Sequence, residues 1–184
     1  MLAKFCTLSD NGGAETDGRQ QPQTARGCMM HVRRARREDK KAFVRQAEAF
    51  FDVLPMPTRV NFDKHGFAAL YDQKLESDDV AFWVVELDDK VVGICGAIIS
   101  PIYYSPKNMT AQELFWWIEP EARGTTASKQ MMFEMQSWAE QAGASQFSMI
   151  ALENDRSKTM ERVYSRNGFT PIERTFTKEL RYGH

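Results

Sequence analysis

The stretch "EPEARGTTASKQ", Glu119 to Gln130, sets an arginine, one glycine, two threonines and a serine directly before a helix-like pattern. A helix N-terminus leaves its first N–H groups unpaired and carries partial positive charge. Backbone donors there bind phosphate without needing particular side chains. Gly124 lets the backbone approach a ligand and take positive φ. Thr125, Thr126 and Ser128 lack that freedom, but their hydroxyls can donate to phosphate oxygens. Arg123 adds a cation, and Lys129 lies just inside the helix. The competing reading is a helix start capped by Thr126 or Ser128, with no ligand.

Other candidate chemistry is thinner. His31, His65 and His184 adjoin no Ser, Cys or Asp pattern that suggests a triad. The three cysteines, Cys6, Cys28 and Cys95, are widely spaced and form no Cys-x-x-Cys. They read as reduced thiols in a cytoplasmic protein, without a metal site or disulfide framework. Cys95, in "GICGAI", reads as a small buried hydrophobe. "RRARREDKK" holds six basic residues in nine. It straddles a strand–helix junction, where arginines are usually solvated, and the net charge of −1 argues against a nucleic-acid partner. No apolar run approaches the ~20 residues of a membrane helix.

The elements that must position these residues are regularly punctuated. Residues 1–28 are rich in Gly, Gln, Thr and Asp and read as a disordered extension ahead of one domain over 29–184. Met29-Met30 is where a start codon placed too far upstream would leave the true beginning. "MHVRRA" reads as a first strand and "REDKKAFVRQAEAFF" as a helix, with Phe43, Ala47 and Phe50 on one face. A second helix follows over "NFDKHGFAALYDQKL". "VAFWVVEL" and "VVGICGAIIS" flank a hairpin signal at Asp88-Asp89-Lys90. "AQELFWWIE" is a fourth strand. Ser128 to Ala142 is an amphipathic helix stopped by Gly143. "SQFSMIAL" is a fifth strand, "SKTMERVYSRN" a helix capped by Ser157 and ended by Gly168, and "ERTFTKEL" a last strand. The fold class is α+β: two early helices, a mostly antiparallel sheet, and a strand–helix–strand unit in the middle.

Taken in order, "PEARGTTAS", the helix ending "WAEQAGA", "YSRNGF" (Tyr164 to Phe169) and "FTKEL" resemble the GNAT family of N-acetyltransferases. The resemblance runs from about Met30 to Leu180. It implies a splayed, mixed sheet flanked by helices, with the fourth and fifth strands parted to admit acetyl-CoA. The family's phosphate turn, Arg/Gln-x-x-Gly-x-Gly/Ala, falls on Arg123 to Ser128, with Thr126 and Ser128 where glycines stand.

The resemblance implies a cofactor site at Trp117, Ile118, Arg123, Gly124, Thr125, Thr126, Ala127 and Ser128. Asn154 either touches the cofactor or serves a turn. Trp116, Trp117 and Ile118 would form one wall of the gap, and Met149, Ile150 and Ala151 the other. At least one tryptophan belongs to the core, because strand neighbours point to opposite faces.

Acyl transfer to an amine needs a base, an oxyanion donor and a leaving thiolate. Glu113, at the start of the fourth strand, is the candidate base, or else a solvated strand-end charge. A backbone N–H near Trp117 or Ile118 would meet the oxyanion. Tyr164 matches the family's general acid, or else is a helix aromatic packed on the sheet.

The implied reaction transfers an acetyl group to a small-molecule or peptide amine. Alternatives are an inactive acyl-CoA-binding or inhibitor module, and an enzyme acting on protein or aminoacyl-tRNA. The lid would be "FFDVLPMPTRVNFDKHGF" plus "SPIYYSPKN". In it Phe51, Phe62, Tyr103 and Tyr104 would wall an apolar pocket, and Asp52 or Asp63 would attract an amine; ordinary helix packing is the competing role for Phe62. A homodimer is left open.

Overall fold

A tight turn at Asp88 and Asp89, both at positive φ (47° and 63°), reverses the chain between β2 (Val80–Leu87) and β3 (Lys90–Ile102). Two-residue turns of this hand match the twist of the strands they join. The structure is a computed structural model and describes residues 30–54, 60–154 and 156–178. With β1 (Met30–Arg34), β4 (Ser105–Ile118) and β5 (Ala144–Ser148), the strands form a five-stranded sheet in the order β1-β2-β3-β4-β5. Neighbours are antiparallel from β1 to β4, and β5 runs parallel to β4. α1 (Lys40–Phe51) and α2 (Lys64–Leu75) lie between β1 and β2 in sequence. α3 (Ala127–Gln141) crosses over from β4 to β5, and α4 (Ser157–Arg166) follows. This is the expected mixed α+β sheet.

The unbroken apolar run of β2 is explained by burial on both faces. Phe82 and Val84 meet Phe43 of α1 and Tyr71 of α2; Trp83 and Val85 meet Met131 and Met135 of α3. Phe43 is fully buried, and its ring contacts those of Tyr71 (4.7 Å) and Phe82 (5.1 Å). Removing it would cost about 3–5 kcal/mol through lost burial and a cavity. No helix among the described residues is long and apolar enough to cross a membrane.

Several element boundaries differ from the sequence reading. β4 begins at Ser105, because "SPIYYSPKN" is the end of β3, a turn and the start of β4. The prolines there do not break the hairpin: Pro101 still pairs with Met109. Tyr103 and Tyr104 stand at its tip, 86% and 93% exposed, and wall no pocket. β5 ends at Ser148, short of Leu152. Residues 173–178 form no strand, and 179 and 180 lie outside the described residues, as does the extension 1–28. α4 starts at Ser157 itself, whose hydroxyl donates to the Asn154 carbonyl, so Ser157 is not its cap. Gly143 and Gly168, at φ of 81° and 86°, end α3 and α4 as read.

The basic run is engaged within the chain. Arg33 pairs with Asp39 (2.7 Å) and Glu86 (2.6 Å), Arg37 with Glu76, and Lys40 with Asp72. The Arg34 guanidinium lies over the Trp83 ring.

Candidate functional site

The β4–β5 ladder ends where Gln112 faces Ser148. The next residue of β4 is Glu113, and there the other edge is irregular too. Ala97 of β3 pairs with Glu113 and Gly96 with Phe115, leaving Leu114 as the extra residue of a bulge. A bulge breaks strict alternation, so Glu113 and Leu114 both line the cleft that opens between the parted strands. Its volume is about 570 Å³.

The parted backbone finds side-chain partners at Ile150. Its N–H donates to a Glu113 carboxylate oxygen at 3.0 Å, and its carbonyl accepts from the Tyr164 hydroxyl at 2.8 Å. Two groups that would otherwise be left without a ladder are thus satisfied. Glu113 is not a solvated strand-end charge: it sits inside β4 and is 5% exposed. Burial pushes its carboxyl up to about 7, and the Ile150 N–H pulls the other way. Burial, then the nearby Glu113 charge, raises the Tyr164 phenol above its ordinary value. The Tyr164 ring packs on Trp116 and Phe169.

At the other end of the cleft, Pro120–Ala122 form a single 3-10 turn, and Arg123 and Gly124 lead into α3. Gly124 has φ +78°, so it is the loop position that favours glycine. Thr126 has φ −73°, open to any residue, and neither Thr125 nor Ser128 has positive φ. The missing glycines therefore impose no backbone strain here. Thr125 donates to the Ala122 carbonyl (3.0 Å) and also accepts, at 3.4 Å, from the Ala127 N–H. The Thr126 side chain makes no capping bond.

Arg123 is held from behind. Its Nε donates to the Ile118 carbonyl (2.9 Å), and its guanidinium rests 4.8 Å from the Trp117 ring centre. The Trp117 indole donates to Gln46 Oε1 (2.9 Å), and Gln46 in turn donates to Glu119 and to the Val91 carbonyl. Burial lowers the Arg123 pKa, and the charge of Arg156 lowers it further, while Glu121 acts in the opposite sense. Arg156 lines the same cleft from the opposite wall. Among the described residues neither arginine pairs with a carboxylate. Two unneutralised guanidiniums beside helix N-termini are an arrangement that suits an anion.

Over residues 47–169 the sequence matches the family model described as "Acetyltransferase (GNAT) family". The chain belongs to the GNAT acetyltransferase family. No curated protein sequence matches it. Among solved structures it resembles the aminoglycoside N-acetyltransferase AAC(6')-Iy in complex with CoA, at 16% identity and TM-score 0.67, over 85% of this chain and 98% of that one. It also resembles a predicted acetyltransferase from Clostridium acetobutylicum with acetyl-CoA, at 15% identity and TM-score 0.66, over 82% and 96%. A third is the ribosomal-protein-alanine N-acetyltransferase of Brucella melitensis, at 14% identity and TM-score 0.63, over 84% and 100%. At these identities the likeness is one of fold.

Within this GNAT fold the cleft gathers Glu113, Trp117, Ile118, Arg123, Gly124, Thr125, Ser128, Asn154 and Tyr164. Ala127, the first residue of α3, is fully buried in the core. Trp117 is the core tryptophan, packed on Phe50 of α1 (6.2 Å between rings), and Trp116 stands on the opposite face with Tyr164. The Asn154 side chain accepts from the Arg156 N–H (2.9 Å), so turn chemistry already occupies it.

Of the expected lid, residues 55–59 lie outside the described residues, and much of the rest is ordinary packing. Phe62 lies between Phe51 and Phe67, and Asp63 caps α2 through the Gly66 N–H. Sequence reasoning passed over Gln46 and Arg156. The signal for Arg156 was a basic residue just ahead of the last helix; Gln46 left no signal, because its partners lie far along the chain.

Proposed function

We propose that the chain transfers an acetyl group from acetyl-CoA to a primary amine by direct attack in a ternary complex. The observation that carries this reading is Glu113: a carboxyl with a pKa of about 7, buried where β4 and β5 part. A base works best when its pKa lies near the working pH.

The cofactor's diphosphate fits between Arg123 and Arg156, over the backbone amides that open α3 and the Ser128 hydroxyl. Its pantetheine arm would run along β4 past Ile118 and Trp117. From Ile118 to Glu113 is five residues of strand, roughly 17 Å at ~3.3 Å per residue, about the length of that arm extended. The acetyl carbonyl then lies near the bulge, not near Trp117 or Ile118. A bulge leaves backbone groups outside the ladder, so the amides at Leu114 and Phe115 are the better oxyanion donors.

Glu113 takes a proton from the amine, whose nitrogen then attacks the carbonyl carbon. The C–N bond forms, the C–S bond breaks, the sulfur leaves as thiolate, and the nitrogen gives up its second proton to solvent. A thiol has a pKa of about 8.5, below that of the raised Tyr164 phenol. Tyr164 therefore steadies the thiolate by hydrogen bonding, and the thiol's proton comes finally from solvent. The net products are the amide, the free thiol and one proton.

One observation favours a second reading, a binding module without turnover: Ile150 already engages both Glu113 and Tyr164. Calorimetry with acetyl-CoA and thiol release with an amine panel separate the two. Binding with release supports transfer, and binding without release supports the module. No binding at millimolar acetyl-CoA refutes both. A reducing, cytoplasmic setting fits the free, buried Cys95. The internal pairing of the basic run favours a small amine over an RNA-borne acceptor.

A further inference from the structure

The cleft is lined from both faces of the sheet, and the two sets of lining residues differ in chemistry. The face of α3 and α4 presents Arg123, Ser128 and Arg156. On the other face, the C-terminal end of α1 and the turn after it bring Phe50, Val53 and Leu54 into the same cleft. Val53 is 52% exposed, and Leu114 and Ile150, on either side of the parted strands, are each 41% exposed. These aliphatic groups stand open to water around the cleft that holds Glu113. Apolar surface gathered in a concave site marks where a ligand's apolar body is covered. Among the described residues that line the cleft, Glu113 is the only acid, against Arg123 and Arg156.

From this lining we infer that the acceptor is an amine with a single cationic nitrogen on an apolar body, aliphatic or aryl, entering from the α1 side. The inference rests on the transfer reaction proposed above and names its substrate class. The nitrogen reaches Glu113 while the body covers Val53, Leu54 and Leu114. A polycation would set further ammonium groups against these aliphatic side chains, and among the described residues lining the cleft no second acid offsets their lost hydration. An aminoglycoside, the acceptor class in the name of AAC(6')-Iy, does not fit this lining.

Leu114, the extra residue of the β4 bulge, lines the cleft beside Glu113, so an acid and an aliphatic group meet the same ligand.

The test uses the full chain and three probe amines: 2-phenylethylamine, n-hexylamine and neamine. Thiol release is followed at saturating acetyl-CoA. The expected result is a kcat/KM for 2-phenylethylamine at least tenfold above that for neamine, with n-hexylamine also preferred to neamine. Val53→Ser should raise KM for 2-phenylethylamine about fivefold, the loss of part of one buried aliphatic contact, and leave the Kd for acetyl-CoA unchanged. Leu114→Ser serves as a second variant with the same expectation for the amine.

Preference for neamine overturns the inference. So does an unchanged amine KM in both variants. Acetyl-CoA bound, with thiol released to neamine alone or to no amine, overturns it while leaving cofactor binding intact. Absence of acetyl-CoA binding in calorimetry would instead remove the proposed reaction, and the inference with it.

Discussion

Replacing Glu113 by glutamine isolates the cost of a buried carboxylate. The side chain is 5% exposed, and its pKa is raised from 4.5 to about 7, chiefly by burial. A shift of that size, at 1.36 kcal/mol per pKa unit, amounts to about 3 kcal/mol. Below pH 4.5 the carboxyl is neutral whether the chain is folded or unfolded, and there is no penalty. Between 4.5 and about 7 the unfolded chain releases the proton while the folded chain holds it, so stability falls as pH rises. Above about 7 the folded protein carries the buried charge, and the loss is complete. Glutamine keeps the shape and can still accept the Ile150 N–H, yet never ionises.

Urea unfolding should therefore show Glu113→Gln and the parent nearly equal near pH 4.5. The variant should be more stable by about 3 kcal/mol at pH 8, a Tm difference of roughly 6–12 °C for a chain of this size. Thiol release by the variant should drop by ~10²–10⁴. The parent's rate should rise through an apparent pKa near 7. A stability gap that is flat with pH, or larger at pH 5 than at pH 8, would refute the reasoning about burial.

Tyr164→Phe removes the bond to the Ile150 carbonyl and a donor to the leaving sulfur. Because thiolate is a tolerable leaving group, kcat should fall only about tenfold to a hundredfold, at or below the low end for acid catalysis; an unchanged rate would take Tyr164 out of the reaction. Gly124→Ala, at φ +78°, should cost about 1–2 kcal/mol of backbone strain and weaken acetyl-CoA binding in calorimetry. Thr126→Gly, at φ −73°, should change that Kd by less than about threefold; a large gain would show that the absent glycine does limit the loop. Gln46→Leu leaves the buried Trp117 N–H without its acceptor. It should lower unfolding free energy by about 1–3 kcal/mol and weaken acetyl-CoA more than S-acetylpantetheine, which lacks the diphosphate that Arg123 is placed to meet.

What the sequence determined is whatever is written locally. Period and punctuation located the five strands of the sheet, the helices and the Asp88–Asp89 turn, because turn chemistry and hydrophobic alternation act over a few residues; the sixth expected strand, at 173–180, is no strand over 173–178. The order of "PEARGTTAS", "YSRNGF" and the helices between them carried the family resemblance. Local rules failed at element ends, where pairing partners decide. Pro101 and Pro106 looked like loop residues, yet the long β3–β4 hairpin accommodates them. "SQFSMIAL" looked like a strand throughout, yet β5 leaves the ladder at Ser148.

Only the tertiary structure decided what the site contains. Glu113 has a pKa of about 7 because distant segments bury it, and no neighbour in sequence could have shown that. Gln46 reaches Trp117 and Glu119, and Arg156 faces Arg123, across separations that only the folded chain closes. Burial and charge are properties of what surrounds a group in space, and the sequence records only what precedes and follows it.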